Sequence, residues 1–195
     1  MITMRKLFSP KLSSTLLIML GTASGAFAQG ETGTATLSGV QDGSVYDYTI
    51  TLHNTSSVAI GTFWYAWIPG QFYLPSAPTS VTAPIEWTES TPNSMGNYSI
   101  EYVAIPGHAL GGGASLDFYF SSTATPATLA GNSLYYPTSH TPIGTSYLYN
   151  ATFSDAGYEF VVQSVPEPSV LGWLTAGLLG LLMAVRRQPR KLAVV

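Results

Sequence analysis

Polar and apolar residues alternate with a period of two through most of the middle of this chain. From Val45 to His53, Tyr46, Tyr48, Ile50 and Leu52 fall on one side and Asp47, Thr49, Thr51 and His53 on the other. That alternation predicts a half-buried strand. Val58–Ile68 reads as the next strand, ended by Pro69-Gly70. Ser99–Ala104 sets Ile100, Tyr102 and Ala104 together, with Glu101 opposite. Ser115–Ser121 sets Leu116, Phe118 and Phe120 together, with Asp117 and Tyr119 opposite. Tyr147, Tyr149 and Ala151 make a further face; Tyr158, Phe160 and Val162 make the last, with Glu159, Val161 and Gln163 outside. Turn residues separate these runs: Gln41-Asp42-Gly43, Asn54-Thr55-Ser56-Ser57, Thr91-Pro92-Asn93, Gly111-Gly112-Gly113 and Asp155-Ala156-Gly157. Nothing between residues 29 and 165 has a helical period. About seven or eight short strands with such turns predict an all-β fold, an antiparallel β-sandwich of immunoglobulin-like or jelly-roll type. Patterning does not choose between those two topologies.

The two ends depart from this pattern. Arg5, Lys6 and Lys11 precede the apolar run Leu16–Leu20, and small residues follow to Ala26-Phe27-Ala28-Gln29. A cationic start, a short apolar core and an A-x-A site in that order predict a secretory signal peptide over residues 1–28, with Ala26 and Ala28 marking cleavage. The alternative is a buried N-terminal helix. At the other end, residues 169–185 are uncharged and apolar, and Arg186, Arg187, Arg190 and Lys191 follow. As a helix this run would be about 25 Å long, the short end of a membrane span. The basic tail, residues 186–195, places itself in the cytoplasm and everything before the helix outside. Before the run stands Pro166-Glu167-Pro168. Two prolines bar helix and sheet and hold an extended segment, the conformation a protease cleft accepts. A plain tail anchor is the other reading of the helix.

Charge divides the chain the same way. All seven Lys and Arg lie in the end segments, and none lies between Gln29 and Val165, where nine acids do. The predicted ectodomain, residues 29–164, is therefore strongly anionic and has no Lys or Arg for ion pairing. It has no cationic surface for nucleic acid or anionic lipid. The chain has no cysteine, so disulfides and thiolate metal sites are excluded, and a packed core must supply stability.

Chemistry is sparse. His53, His108 and His140 have no metal-ligand spacing, and no EF-hand loop occurs, so neither a metal nor another cofactor is expected. Asp155 and Glu159 would make at most a weak Ca²⁺ site. The Gly-rich stretch Gly107–Gly113 lacks the lysine of a phosphate loop and reads as a hairpin connection. There is no G-x-S-x-G elbow. A carboxylate pair for glycoside hydrolysis could come, for instance, from Glu86 with Glu89 or Glu101, whose ordinary role is on solvated strand faces and loops. The densest aromatic patch is Phe63-Trp64-Tyr65-Ala66-Trp67. Strict alternation puts Phe63, Tyr65 and Trp67 on one side and Trp64, Ala66 and Ile68 on the other. One side is then core and the other either buried too, under the 71–84 segment, or a sugar-stacking platform. Large aromatics are mostly buried, which makes burial the first expectation. Trp64, Trp67 and Tyr65 are the candidate carbohydrate contacts if the face is open.

Pro166-Glu167-Pro168, the apolar segment and Arg186-Arg187 together resemble the PEP-CTERM sorting domain, over residues 165–195. The resemblance implies recognition by exosortase, an integral-membrane transpeptidase-like enzyme thought to cut near the motif, in a Gram-negative bacterium that makes extracellular polysaccharide. Tyr46–Ile50, Asn54-Thr55-Ser56, Ile60–Trp64 and Phe153–Phe160 look like the ectodomain common among short proteins of that group, for which the resemblance implies no biochemical activity. The expectation is a non-enzymatic protein, exported through Sec and trimmed by signal peptidase. It is held transiently in the membrane by residues 169–185, processed by exosortase and released to the cell surface or beyond, as a structural component of a polysaccharide or biofilm matrix. The alternatives are a carbohydrate-binding module using Phe63–Trp67 and, behind it, a secreted hydrolase.

Overall fold

The structure, a computed structural model, describes residues 30–135, 140–150 and 156–165. The signal-peptide site at Ala26 and Ala28, the motif Pro166–Pro168, the run 169–185 and its basic tail, and Asp155 lie outside the described residues. Among the described residues no helix is long and apolar enough to cross a membrane.

The described chain is β throughout except for one turn of helix. In order the strands are β1 Gly33–Asp42, β2 Val45–Asn54, β3 Ile60–Tyr65, β4 Trp67–Ile68, β5 Gln71–Phe72, β6 Ser80–Thr82, β7 Trp87–Ser90, β8 Asn93–Ser94, β9 Asn97–Tyr98, β10 Ile100–Ala104, β11 Ser115–Ser122, β12 Thr145–Asn150, β13 Tyr158–Val161 and β14 Gln163–Ser164. The helical turn α1, Pro126–Leu129, starts where the Thr125 hydroxyl accepts from the Thr128 N–H at 3.2 Å. Two five-stranded sheets form, in the orders β14-β1-β2-β11-β6 and β13-β12-β3-β10-β7. Pairing is antiparallel except where β14 joins β1 in parallel. Two small hairpins, β4–β5 and β8–β9, account for part of the excess over the seven or eight strands the sequence predicts; ten strands make up the two sheets.

The period-two pattern is what packs the sheets together. Tyr48, Ile50 and Leu52 of β2 and Phe118 and Phe120 of β11 are buried, as are Phe63 and Tyr65 of β3 and Ile100 and Tyr102 of β10. Phe118 lies at the centre, its ring 5.2 Å from Phe63, 4.6 Å from Tyr102 and 5.1 Å from Trp87. Tyr65 meets Phe120 at 5.3 Å. Aromatic rings from both sheets thus form one interdigitated layer, the arrangement of a β-sandwich.

Strand β1 is the longest element the pattern does not mark. Its inward positions are Gly33, Ala35, Leu37 and Gly39, alternately buried against exposed neighbours. The alternation is strict, but small residues give it little hydrophobic contrast. Gly39 is small for a reason: a Cβ there would meet the ring of Tyr48 on the paired strand.

The chain crosses between sheets on both open sides of the sandwich. On one side β6 ends in the first sheet and β7 begins in the second, after Ala83–Glu86. On the other, β13 belongs to the second sheet and β14 to the first, with the buried Val162 between them. The Val162 N–H donates to the Gly144 carbonyl at 2.9 Å. The ladder runs to the end of the described segment, where the Val165 N–H donates to the Leu37 carbonyl at 2.8 Å. The domain is therefore hydrogen-bonded up to the residue before Pro166.

Candidate functional site

The outer face of the second sheet carries the aromatic residues. Cross-strand partners share a face, and the register places Ser90, Glu101, Trp64, Tyr147 and Glu159 in one row across five strands. Trp64 and Tyr147 are half-buried and Glu159 is exposed. Ser90 Oγ donates to Glu101 Oε2 at 2.8 Å, which fixes that carboxylate on the sheet. The Tyr147 hydroxyl donates to the Ala156 carbonyl at 2.6 Å.

Trp67 joins this row although strict alternation sets it on the core side. Ala66 adopts a left-handed backbone, φ 58°, and is buried. Its N–H donates to Ser146 Oγ at 3.3 Å and its carbonyl accepts from the Tyr73 N–H at 3.0 Å. This break in the strand reverses the side on which Trp67 emerges. Trp67 stacks on Trp64 with ring centroids 4.2 Å apart and planes 24° apart, and meets Tyr147 edge-on at 5.9 Å. Tyr149 adds a fourth ring 5.0 Å from Tyr147. The β4–β5 hairpin, in which Trp67 pairs with Phe72, turns back beside this surface.

Of the candidate carbohydrate contacts, Trp64 and Trp67 thus share the outer face, and both are half-buried. Tyr65 is corrected: it is wholly buried, because it is the inward residue of β3 between the sheets. Its hydroxyl has no hydrogen-bond partner, and burial, followed by the charge of a neighbouring Tyr48, pushes its pKa far above the usual tyrosine value. Tyr102 is shifted the same way by burial first and then by Tyr65 and Glu89, and its hydroxyl donates to the Tyr119 carbonyl at 3.0 Å. The sequence pattern gives Tyr147 and Tyr149 no role beyond a strand face; the edge-on contact of Tyr147 with Trp67, and the tilted contact of Tyr149 with Tyr147, extend the aromatic surface to them.

Glu89 lies opposite Tyr102 in the register and Glu101 opposite Ser90, so the two take opposite faces of the sheet. Glu86 pairs with His108. His53 Nδ1 is 3.0 Å from Ser115 Oγ on the outer face of the other sheet. Among the described residues no group of three or more His, Asp or Glu is placed to hold a metal ion.

That other face is polar and hydrogen-bonded across its strands. Thr51 Oγ1 donates to Asp117 Oδ1 at 2.7 Å, and Ser121 Oγ donates to Asp47 Oδ1 at 2.6 Å. A groove of about 650 Å³ opens there beside Asp117, Tyr119 and Ile85. The sequence placed Asp117 and Tyr119 outside but gave no sign of a groove.

The fold and the aromatic surface define an all-β sandwich with one aromatic outer face. No protein-family model matches the chain, and a comparison with curated proteins finds no match.

Proposed function

We propose that this chain is an exported, cell-surface β-sandwich that holds polysaccharide on the Trp64–Trp67–Tyr147 surface. The stacked tryptophan pair on the outer face of the second sheet carries the reading. Trp rings present flat apolar faces to the C–H faces of sugar rings while their N–H groups stay wet. Glu101 and Glu159, in the same row, are acceptors for sugar hydroxyls. Glu101 is already oriented by Ser90, so less side-chain freedom is lost on binding. The absence of Lys and Arg from residues 29–165 favours a neutral polymer over an anionic one.

Export and sorting complete the proposal. Residues 1–28 direct secretion through Sec, and residues 165–195 act as the PEP-CTERM signal, with Pro166-Glu167-Pro168 presented to exosortase and residues 169–185 as a temporary span. The matrix role then follows from sugar binding at the surface, and no catalysis is invoked. The pairing of Glu86, the member common to both candidate carboxylate pairs, with His108 supports a binding role over a hydrolytic one.

Two measurements test this. Trp64→Ala and Trp67→Ala should each weaken retention of the full chain on neutral polysaccharide; unchanged retention with the fold intact rejects the binding surface. Mass spectrometry of the mature protein should find a C-terminus near Pro166–Pro168. A chain ending at Val195 rejects processing and leaves a tail anchor.

A further inference from the structure

The groove on the first sheet lies on the opposite outer side of the sandwich from Trp64 and Trp67. Its lining includes Thr51, Ser115, Asp117 and Tyr119 from β2 and β11, with Pro84 and Ile85 as the facing wall. It exists because β6 is short: it pairs with β11 only at Tyr119, Phe120 and Ser121, so the edge of β11 away from β2 has no strand partner from Ser115 to Phe118. Instead the chain leaves β6 for the other sheet and leaves a wall there.

The lining is prearranged. Asp117 is held by the Thr51 hydroxyl at 2.7 Å, and Ser115 by His53 at 3.0 Å. Both are fixed hydrogen-bonding groups in an opening that Ala83, Pro84, Ile85 and Leu116 line with apolar surface. Tyr119 is 43% exposed and Ile85 is 91% exposed, so both are open to a ligand from solvent. An aromatic ring, a branched apolar side chain, an oriented carboxylate and an oriented hydroxyl match a saccharide, which has apolar C–H faces and a rim of hydroxyls. With no Lys or Arg in residues 29–165, nothing there balances an anionic sugar.

We infer that this groove is a second site for a neutral saccharide, so that one domain bridges two polysaccharide strands. The bridging rests on the proposed Trp64–Trp67 surface; the groove stands without it. Sites on opposite faces cannot both serve one straight strand, so occupancy of both ties separate strands together. Each site alone is weak, and two give cross-linking by multivalency.

The test is affinity electrophoresis of the full chain in detergent, through gels containing a mixed-linkage glucan, a mannan or a xylan, with polygalacturonate as the anionic control. Turbidity of the same neutral polymers reads bridging. Tyr119→Ala and the milder Asp117→Asn each remove groove chemistry at exposed positions, and their folds are checked by circular dichroism. Each is expected to leave retardation largely in place through the tryptophans while abolishing turbidity. Trp64→Ala/Trp67→Ala should keep a residual retardation, weakened about tenfold further on adding Tyr119→Ala. Turbidity undiminished in both groove variants, or retardation wholly lost with the tryptophans alone, overturns the groove and leaves the tryptophan surface standing. Retardation that survives loss of the tryptophans and disappears with Tyr119 supports the groove and rejects that surface. Retardation in polygalacturonate equal to that in every neutral gel overturns the neutral assignment.

Discussion

Trp67 stacks face to face on Trp64, three residues earlier, with centroids 4.2 Å apart. In an unbroken strand residues at that spacing point to opposite faces. The left-handed Ala66 between them is what reverses the second ring. A non-glycine residue held there costs about 1–3 kcal/mol, sustained by the surrounding contacts. Here those are the bonds to Ser146 and Tyr73.

Ala66→Val should therefore be severe. A β-branched residue resists positive φ, and the site is fully buried. A loss of about 3 kcal/mol or more is expected in urea unfolding, from strain and overpacking together. Loss of the tryptophan exciton couplet in circular dichroism would show that the stack went with it. Ala66→Gly relaxes the strain and should keep the couplet, with stability changed by less than about 1 kcal/mol.

Gly157→Ala addresses the other edge of the patch. Gly157 has φ 71°, and a Cβ there would collide with the ring of Tyr147 and stand 2.9 Å from the Leu148 carbonyl. Tyr147 would have to leave its edge-on contact with Trp67. The expected outcome is destabilisation by about 1–3 kcal/mol and weaker sugar retention. Retention equal to the parent's, with Tyr147 displaced in an NMR spectrum, would show that the Tyr147 ring is dispensable for binding.

Neighbouring residues on β11 should behave oppositely. Phe118 is wholly buried among Phe63, Tyr102 and Trp87, so Phe118→Ala should cost about 4 kcal/mol through cavity formation. Tyr119 points outward, and Tyr119→Ala should cost less than about 1 kcal/mol. Urea midpoints at constant m-value measure both. Similar losses would mean the alternation of β11 is misassigned.

The buried tyrosines give an alkaline limit. Both Tyr65 and Tyr102 have folded pKa values raised above the unfolded value near 10, chiefly by burial. An acid with a raised folded pKa contributes its full stability below the unfolded pKa and loses it as pH rises, because only the unfolded chain releases the proton. Each tyrosine should cost about 1.4 kcal/mol at one pH unit above its unfolded pKa. Tyr65→Phe removes a buried hydroxyl with no partner. It should raise stability at neutral pH by about 1 kcal/mol and flatten the alkaline decline. Tyr102→Phe, which loses the bond to the Tyr119 carbonyl, should lower neutral stability by about 1 kcal/mol. Thermal melts across alkaline pH separate the two.

The sequence by itself determined the all-β class and the inward faces of β2, β10 and β11, because a two-residue period with Tyr, Ile, Leu and Phe on one side has one way to be buried. It did not reveal β1, whose inward Gly33, Ala35 and Gly39 are too small to contrast with Thr and Ser. The tertiary structure alone decided the candidate surfaces. Backbone handedness at Ala66 is not written in its side chain, so the face of Trp67 was misread and the pairing with Trp64 was hidden. The partner of Trp64 is Tyr147, more than 80 residues away in the chain and brought beside it only by the β3–β12 register. The groove beside Tyr119 depends on how soon β6 ends, which the fold of its neighbours sets. Local pattern records what a residue prefers to bury; which residues meet is settled by strand order and by where a strand breaks.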